Sequence, residues 1–79
     1  MQRLRQLEDL ATEQTSVKEA YAVQAGREIR VIVDSGQCTD DEAFAIAERI
    51  AARVEEEMTF PGEIKVTVLR ETRAEATAR

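Results

Sequence analysis

The stretch from Tyr21 to Val33, YAVQAGREIRVIV, limits the fold of this chain more than any other, because two runs of strand-forming residues are separated there by a single glycine. Val23, Ile29, Val31 and Val33 supply the β-branched bulk that packs on a pleated surface, and Gly26 permits the positive φ of a tight turn. The stretch therefore predicts a β-hairpin. Its alternation sets the faces: Ile29, Val31 and Val33 point to one side, and Glu28, Arg30 and Ile32 to the other. One side then needs a covering of helices, and both flanks of the hairpin carry a helical pattern.

From Gln2 to about Thr15, Leu4, Leu7, Leu10 and Ala11 recur at helical spacing and form one apolar stripe. Val17 to Ala25 is expected as the first strand, with Tyr21, Val23 and Ala25 on one face and Ala20, Ala22 and Gln24 on the other; the small residues imply close packing. Arg27 to Asp34 is the second strand and the most apolar run in the chain. After a turn at Asp34-Ser35-Gly36-Gln37, the sequence Thr39-Asp40-Asp41-Glu42 has the form of a capping box at the start of a second helix. That helix carries a stripe of Ala43, Ile46, Ala47, Ile50, Val54 and Met58, which Phe44 and Ala51 are expected to widen. Glu55-Glu56-Glu57 puts three negative charges at the negative end of the helix dipole, and Arg53 is spaced to pair with Glu56 or Glu57. Phe60-Pro61-Gly62 is expected as a type II turn. Glu63 to Arg70, EIKVTVLR, then alternates as a third strand, with Ile64, Val66 and Val68 toward the helices and Lys65, Thr67 and Leu69 away from them.

The order α-β-β-α-β describes one small α+β domain over residues 1–79, a three-stranded mixed sheet with two helices on one face. A right-handed crossover through the second helix makes strands 2 and 3 parallel. The third strand can lie beside the second, giving 1-2-3, or beside the first, giving 2-1-3; the former is preferred because it centres the most apolar strand. Residues 1–3 and 74–79 are expected to be loosely ordered.

Seventy-nine residues build a core only just adequate for independent folding. Of 34 hydrophobic residues, 12 are alanine and three are aromatic, so the core is thin and its stability close to break-even. Docking onto a second copy or a neighbouring domain is therefore expected. The lone Cys38 cannot form an internal disulfide, which fits a reducing, cytoplasmic compartment. No apolar run approaches the roughly 20 residues that cross a bilayer, and MQRLRQLEDL lacks the apolar core of a signal peptide. Met1 opens directly inside a helical pattern with no capping residue before it, as expected of a piece of a longer protein. The net charge of −5 is concentrated: Thr39 to Met58 holds seven acids and two bases, whereas the remainder holds nine of each. That helix would repel a phosphate backbone.

Catalytic chemistry has little to draw on. The chain contains no histidine, which removes the commonest general base, histidine-activated nucleophiles and histidine-based metal sites. Gly26, Gly36 and Gly62 stand alone and make no phosphate-cradling loop. Consecutive helical residues point about 100° apart, so Glu55, Glu56 and Glu57 cannot converge on one ion and are expected as a solvated face. Cys38 is followed by the acids Asp40, Asp41 and Glu42 and has no neighbouring base in the sequence, so no reactive role is expected for it. No catalytic, cofactor-binding or metal-binding residue is assigned. The sheet face away from the helices, with Arg30, Ile32, Lys65, Thr67 and Leu69, admits two readings: a solvated face whose aliphatic members lie under arginine and lysine stems, or a docking surface for another domain or subunit. Arg27, Arg30, Lys65, Arg70 and Arg73 likewise form either a basic strip that guides RNA or five scattered surface cations without stacking aromatics.

Three stretches together resemble one family. YAVQAGREIRVIV at Tyr21 to Val33, Asp40-Asp41-Glu42-Ala43, and FPGEIKVTVLRETRA at Phe60 to Ala74 are similar to the carboxyl-terminal domain of the bacterial ribonuclease Y family. The resemblance runs from about Leu4 and departs at Glu75-Ala76-Thr77-Ala78-Arg79, where the family closes with a tyrosine-containing tail. It implies a parent endoribonuclease that initiates messenger-RNA decay. Such a parent has an amino-terminal membrane helix anchored on the cytoplasmic side, a long coiled coil, a KH RNA-binding domain, an HD metal-dependent phosphohydrolase domain, and then this module. The HD chemistry uses histidine and aspartate ligands on one or two divalent metals to activate water, and none of those ligands has a counterpart here. For this chain the resemblance implies a non-catalytic accessory module with no cofactor of its own. Its partner is expected to be the HD domain of the same polypeptide or a second copy in a homodimer, with RNA reached only through the parent and no membrane contact by the module.

Overall fold

The computed structural model describes residues 2–59 and 62–79. The elements are α1 (Gln2–Thr12), β1 (Val17–Val23), β2 (Glu28–Asp34), α2 (Asp40–Glu57) and β3 (Lys65–Glu71), with a one-turn 3₁₀ segment at Gln24–Gly26. β1 pairs antiparallel with β2, β2 pairs parallel with β3, and the sheet order is β1-β2-β3. The α+β order and the central position of the most apolar strand are those expected.

Burial explains the arrangement. Ile29, Val31 and Val33 of β2 are fully buried beneath the helices, against Leu7, Leu10 and Ala11 of α1 and Ile46, Ile50 and Val54 of α2. Ala20 and Ala22 of β1 and Ile64, Val66 and Val68 flank this cluster. α1 packs chiefly on β1 and α2 chiefly on β3. The two alanines let α1 approach closely enough for Glu8 Oε2 to accept a hydrogen bond from Ala22 N at 2.9 Å.

α2 begins where the capping box places it. Glu42 N donates to Thr39 Oγ1 (3.2 Å) and Thr39 N donates to Glu42 Oε1 (2.8 Å). The backbone bond from Thr39, followed by the Thr39 hydroxyl, holds the Glu42 carboxyl below its ordinary range. At the other end Arg53 meets Glu57 at 3.0 Å and Glu56 at 3.8 Å, as spacing predicts, and also reaches Glu13 at 3.0 Å after α1. One side chain thus ties both helices together while relieving the acidic helix end.

Several expectations are corrected. α1 ends at Thr12 rather than about Thr15, with the Thr12 hydroxyl donating to Asp9 O (3.2 Å), the local side-chain bond that competes with helix continuation. β1 ends at Val23, not Ala25, because the hairpin connection is wider than a single glycine: Gln24 (φ 55), Ala25 (φ 57) and Gly26 (φ 86) are all left-handed. β2 starts at Glu28 rather than Arg27, and β3 covers Lys65–Glu71 rather than Glu63 to Arg70. Phe44 does not widen the buried stripe; it is 70% exposed on the side of α2 that overlooks the edge of β3. The expected type II turn at Phe60-Pro61-Gly62 lies largely outside the described residues, although Gly62 has φ 87.

Two substitutions test this account. A Cβ on Gly26 would sit 2.7 Å from Leu4 Cδ2 at φ +86, so Gly26→Ala is expected to destabilise by more than about 1 kcal/mol in thermal or urea melts. Thr39→Ala removes the cap at a cost of about 1 kcal/mol, which lowers Tm by roughly 4–8 °C in a domain of this size. Because the Glu42 carboxyl is held below its unfolded value, its contribution is complete above the unfolded pKa and is lost as pH falls through the folded one. The stability gap between the native chain and Thr39→Ala should therefore narrow as urea midpoints are followed from neutral pH into the acid range.

Candidate interaction surface

The sheet face opposite the helices is built from three cross-strand rows. Register places Val23, Glu28 and Lys65 side by side, then Tyr21, Arg30 and Thr67, then Glu19, Ile32 and Leu69. The sequence-predicted residues Arg30, Ile32, Lys65, Thr67 and Leu69 are thus brought together on one surface. Ile32 is 7% exposed, whereas Leu69 beside it is 41% and Tyr21 40% exposed. The result is an apolar patch with a sealed centre and open flanks.

Glu28 occupies the most constrained position on this face. Although its parity points it away from the helices, it is only 5% exposed. Thr67 Oγ1 donates to Glu28 Oε2 at 2.8 Å, Arg30 Nε donates to the same oxygen at 3.4 Å, and Gln24 Nε2 donates to Oε1 at 3.5 Å. The Thr67 hydroxyl holds the carboxyl below its ordinary range, with Arg30 and Lys65 adding to the effect and burial opposing it. This carboxylate joins the hairpin connection, β2 and β3. Residue chemistry did not single it out; the usable signal was an acid at the start of the central strand, with threonine and lysine at neighbouring positions of the strand that pairs with it.

A second clamp closes the opposite end of the sheet. Arg73 Nη2 lies 3.3 Å from Glu19 Oε1 on β1 and 2.6 Å from Glu71 Oε2 on β3, so its side chain spans β2 near Ile32. Glu71 Oε2 is buried and accepts no hydrogen bond of good geometry, so the Arg73 charge is what meets it.

The five cations considered as an RNA strip are dispersed by this geometry. Arg30 and Lys65 occupy adjacent rows, but Arg30 faces Glu28 and Arg73 faces two carboxylates. Arg70 lies on the helix side, where it donates to Cys38 O (2.7 Å), Asp40 Oδ1 (2.7 Å) and Ser35 O (3.0 Å). Arg27 is exposed at the end of the hairpin connection. Cys38 is a buried core residue. Among the described residues no three carboxylate or thiol groups converge as a metal site.

The two sheet edges differ. The β1 edge is partly blocked by Glu8. Along β3, Lys65 N donates to Arg27 O and Glu71 O accepts from Ser35 N, both at 2.9 Å, so odd-numbered residues bond to β2. In a parallel ladder of that phase the main-chain groups of Val66, Val68 and Arg70 turn to the open side. Shallow grooves run between this edge and α2, one lined by Asp40, Ala43, Phe44, Ala47, Val68 and Arg70, the other by Ala51, Val54, Glu55, Gly62, Glu63 and Ile64.

The Glu28 cluster yields a pH test with a definite sign. With its folded pKa below the ordinary glutamate value of about 4.3, Glu28 stabilises fully above the unfolded pKa and loses that effect as pH falls through the folded one. Glu28→Gln is expected to be less stable than the native chain at neutral pH, with the gap shrinking in acid when urea midpoints are compared. A gap independent of pH would show that the carboxylate charge contributes nothing.

No family model and no solved structure matches this chain. Curated relatives do. Ribonuclease Y of Geobacter metallireducens is 52% identical over 79 residues, that of Deinococcus radiodurans 51% over 79 and that of Aliarcobacter butzleri 49% over 79. Each match takes in 100% of this chain, which spans only 14–15% of the length of those relatives. Over its whole length, at about 50% identity, this chain is similar to a C-terminal portion of ribonuclease Y.

Proposed function

We propose that this chain is the non-catalytic accessory and interaction module of a ribonuclease Y-like endoribonuclease that initiates messenger-RNA decay. It acts by supporting an HD domain or by associating subunits. The supporting observation is the outer sheet face, where Leu69 and Tyr21 stay about two-fifths exposed around a buried Ile32. An apolar patch of this kind on a thin domain gains most from being covered. In this reading the HD domain carries the divalent metal and the hydrolysis, while the whole protein operates at the cytoplasmic side of the membrane. The RNA-guiding alternative has weaker support, because Arg30, Arg70 and Arg73 each already face a carboxylate.

Leu69→Asp, introduced into a full-length ribonuclease Y that carries this module, tests the reading. Leu69 is exposed enough for the change to leave the module folded, which circular dichroism of the 79-residue chain checks. RNA cleavage by the full-length variant is expected to fall by about 5-fold or more, matching roughly 1 kcal/mol of lost contact, or its assembly state to change. The 79-residue chain alone is expected to leave RNA intact. Cleavage by the chain alone, or a full-length variant indistinguishable in both rate and assembly, would contradict the proposal.

A further inference from the structure

The residues after β3 keep a strand's pattern without a strand's partner. Ala74, Ala76 and Ala78 alternate with Glu75, Thr77 and Arg79, the period of two of a half-buried strand. The segment continues from Glu71 with neither turn nor bend and is exposed throughout. Even-numbered residues continue the helix-facing side of β3, because Val66 and Val68 pack on the core and successive side chains alternate. Beside β3 lies an unfilled counterpart: the outward main-chain groups of Val66, Val68 and Arg70, roofed by Ala43, Phe44 and Ala47 of α2.

We propose that two copies of this chain exchange these segments, each laying residues 74–78 antiparallel along the β3 edge of the other. The proposal deepens the interaction-module reading and rests on it. Parity and charge set the register. Only even-numbered residues can complete the hydrogen bonds of Val66, Val68 and Arg70 while turning their methyl groups into the groove. Pairing Arg70 with Ala74, Val68 with Ala76 and Val66 with Ala78 puts a two-fold axis at Thr72. It also sets Glu71 opposite Arg73 of the second copy on both halves. Slipping by two residues one way opposes Glu71 to Glu71, and the other way opposes Glu71 to Glu75; like charges directly opposite destabilise. The one like-charged pair in the proposed register, Lys65 with Arg79, falls at its last position.

The occupant must be a bare strand with small side chains. Because α2 packs chiefly on β3, two copies joined β3 to β3 in full would set their α2 helices about 4.8 Å apart, against the 8–10 Å that paired helices require. A tail with methyl side chains meets no such conflict. The chain's own tail is directed elsewhere: Ser35 and Thr72 share a hydroxyl hydrogen bond at 2.7 Å, and Arg73 reaches Glu19 across the outer face, so the backbone leaves β3 extended instead of turning back.

Sedimentation equilibrium of the 79-residue chain over a wide concentration range tests the exchange. A dimer is expected, weakened at least about 10-fold by Ala76→Asp, which drives a charge into the groove. Thr77→Asp, one residue on and facing outward, is expected to change it by less than about threefold. Both positions are exposed in the single chain, so circular dichroism should show all three proteins equally folded. Thr72→Cys should form an interchain disulfide under mild oxidation, since opposed residues of a hydrogen-bonded pair lie about 5.5 Å apart, whereas Glu75→Cys should not. A strict monomer overturns the exchange and leaves the accessory reading to the full-length test. A dimer equally sensitive to both aspartates, or one that Thr72→Cys fails to cross-link, also overturns it.

Discussion

Pairing of β2 on both its edges is the interaction on which the rest of the molecule depends. Ile29, Val31 and Val33 are fully buried under the helices, and Glu28 and Ile32 are almost as inaccessible on the opposite face. A strand enclosed in this way must satisfy its main-chain groups within the sheet, since an unpaired buried amide or carbonyl is costly. β1 meets that demand from one side through the hairpin and β3 from the other through the crossover helix. Remove either neighbour and the central strand is left with buried, unpaired polar groups as well as lost apolar contact.

The same arrangement leaves the molecule lopsided. Two helices cover one face, with α1 anchored to the β1 edge by Glu8 and Glu13 just after it joined to α2 through Arg53. The other face is held by two polar clamps, Glu28 under Thr67 and Arg30 at one end and Arg73 between Glu19 and Glu71 at the other. Between them the apolar patch of Tyr21, Ile32 and Leu69 is only partly covered. The β3 edge is the second unfinished boundary, and open edges in native sheets are normally covered, charged or paired. The outer face and the β3 edge are thus the two boundaries at which the proposed interaction would take place.

Much of this was legible in the residues. Period-two alternation in EIRVIV and KVTVLR assigned the faces of β2 and β3 correctly, and the capping box located the start of α2. These are local signals, set by side-chain geometry within a few residues. What escaped were features made by residues distant in sequence. The left-handed run at Gln24 and Ala25 leads into Gly26, where a Cβ would meet Leu4 from the first helix at 2.7 Å. Glu28 finds its shortest side-chain hydrogen bond with Thr67, thirty-nine positions away, and Arg70 is bonded to Asp40 and Ser35, thirty and thirty-five positions before it. Phe44 misled because helical spacing says which face a residue shares, not how far the sheet beneath that face extends.

The ribonuclease Y relationship gives these surfaces their context, since the chain corresponds to about one-seventh of its relatives. The function proposed above would have the module contribute contact rather than chemistry, with its exposed boundaries covered in the working protein. Amide hydrogen exchange measured on the chain at low concentration and again within a full-length ribonuclease Y carrying it tests that claim most directly. Exchange at Val66, Val68 and Arg70 is predicted to be fast in the dilute chain and at least about 10-fold slower in the whole protein, while β2 amides stay protected in both. Identical rates along β3 in the two settings would contradict it.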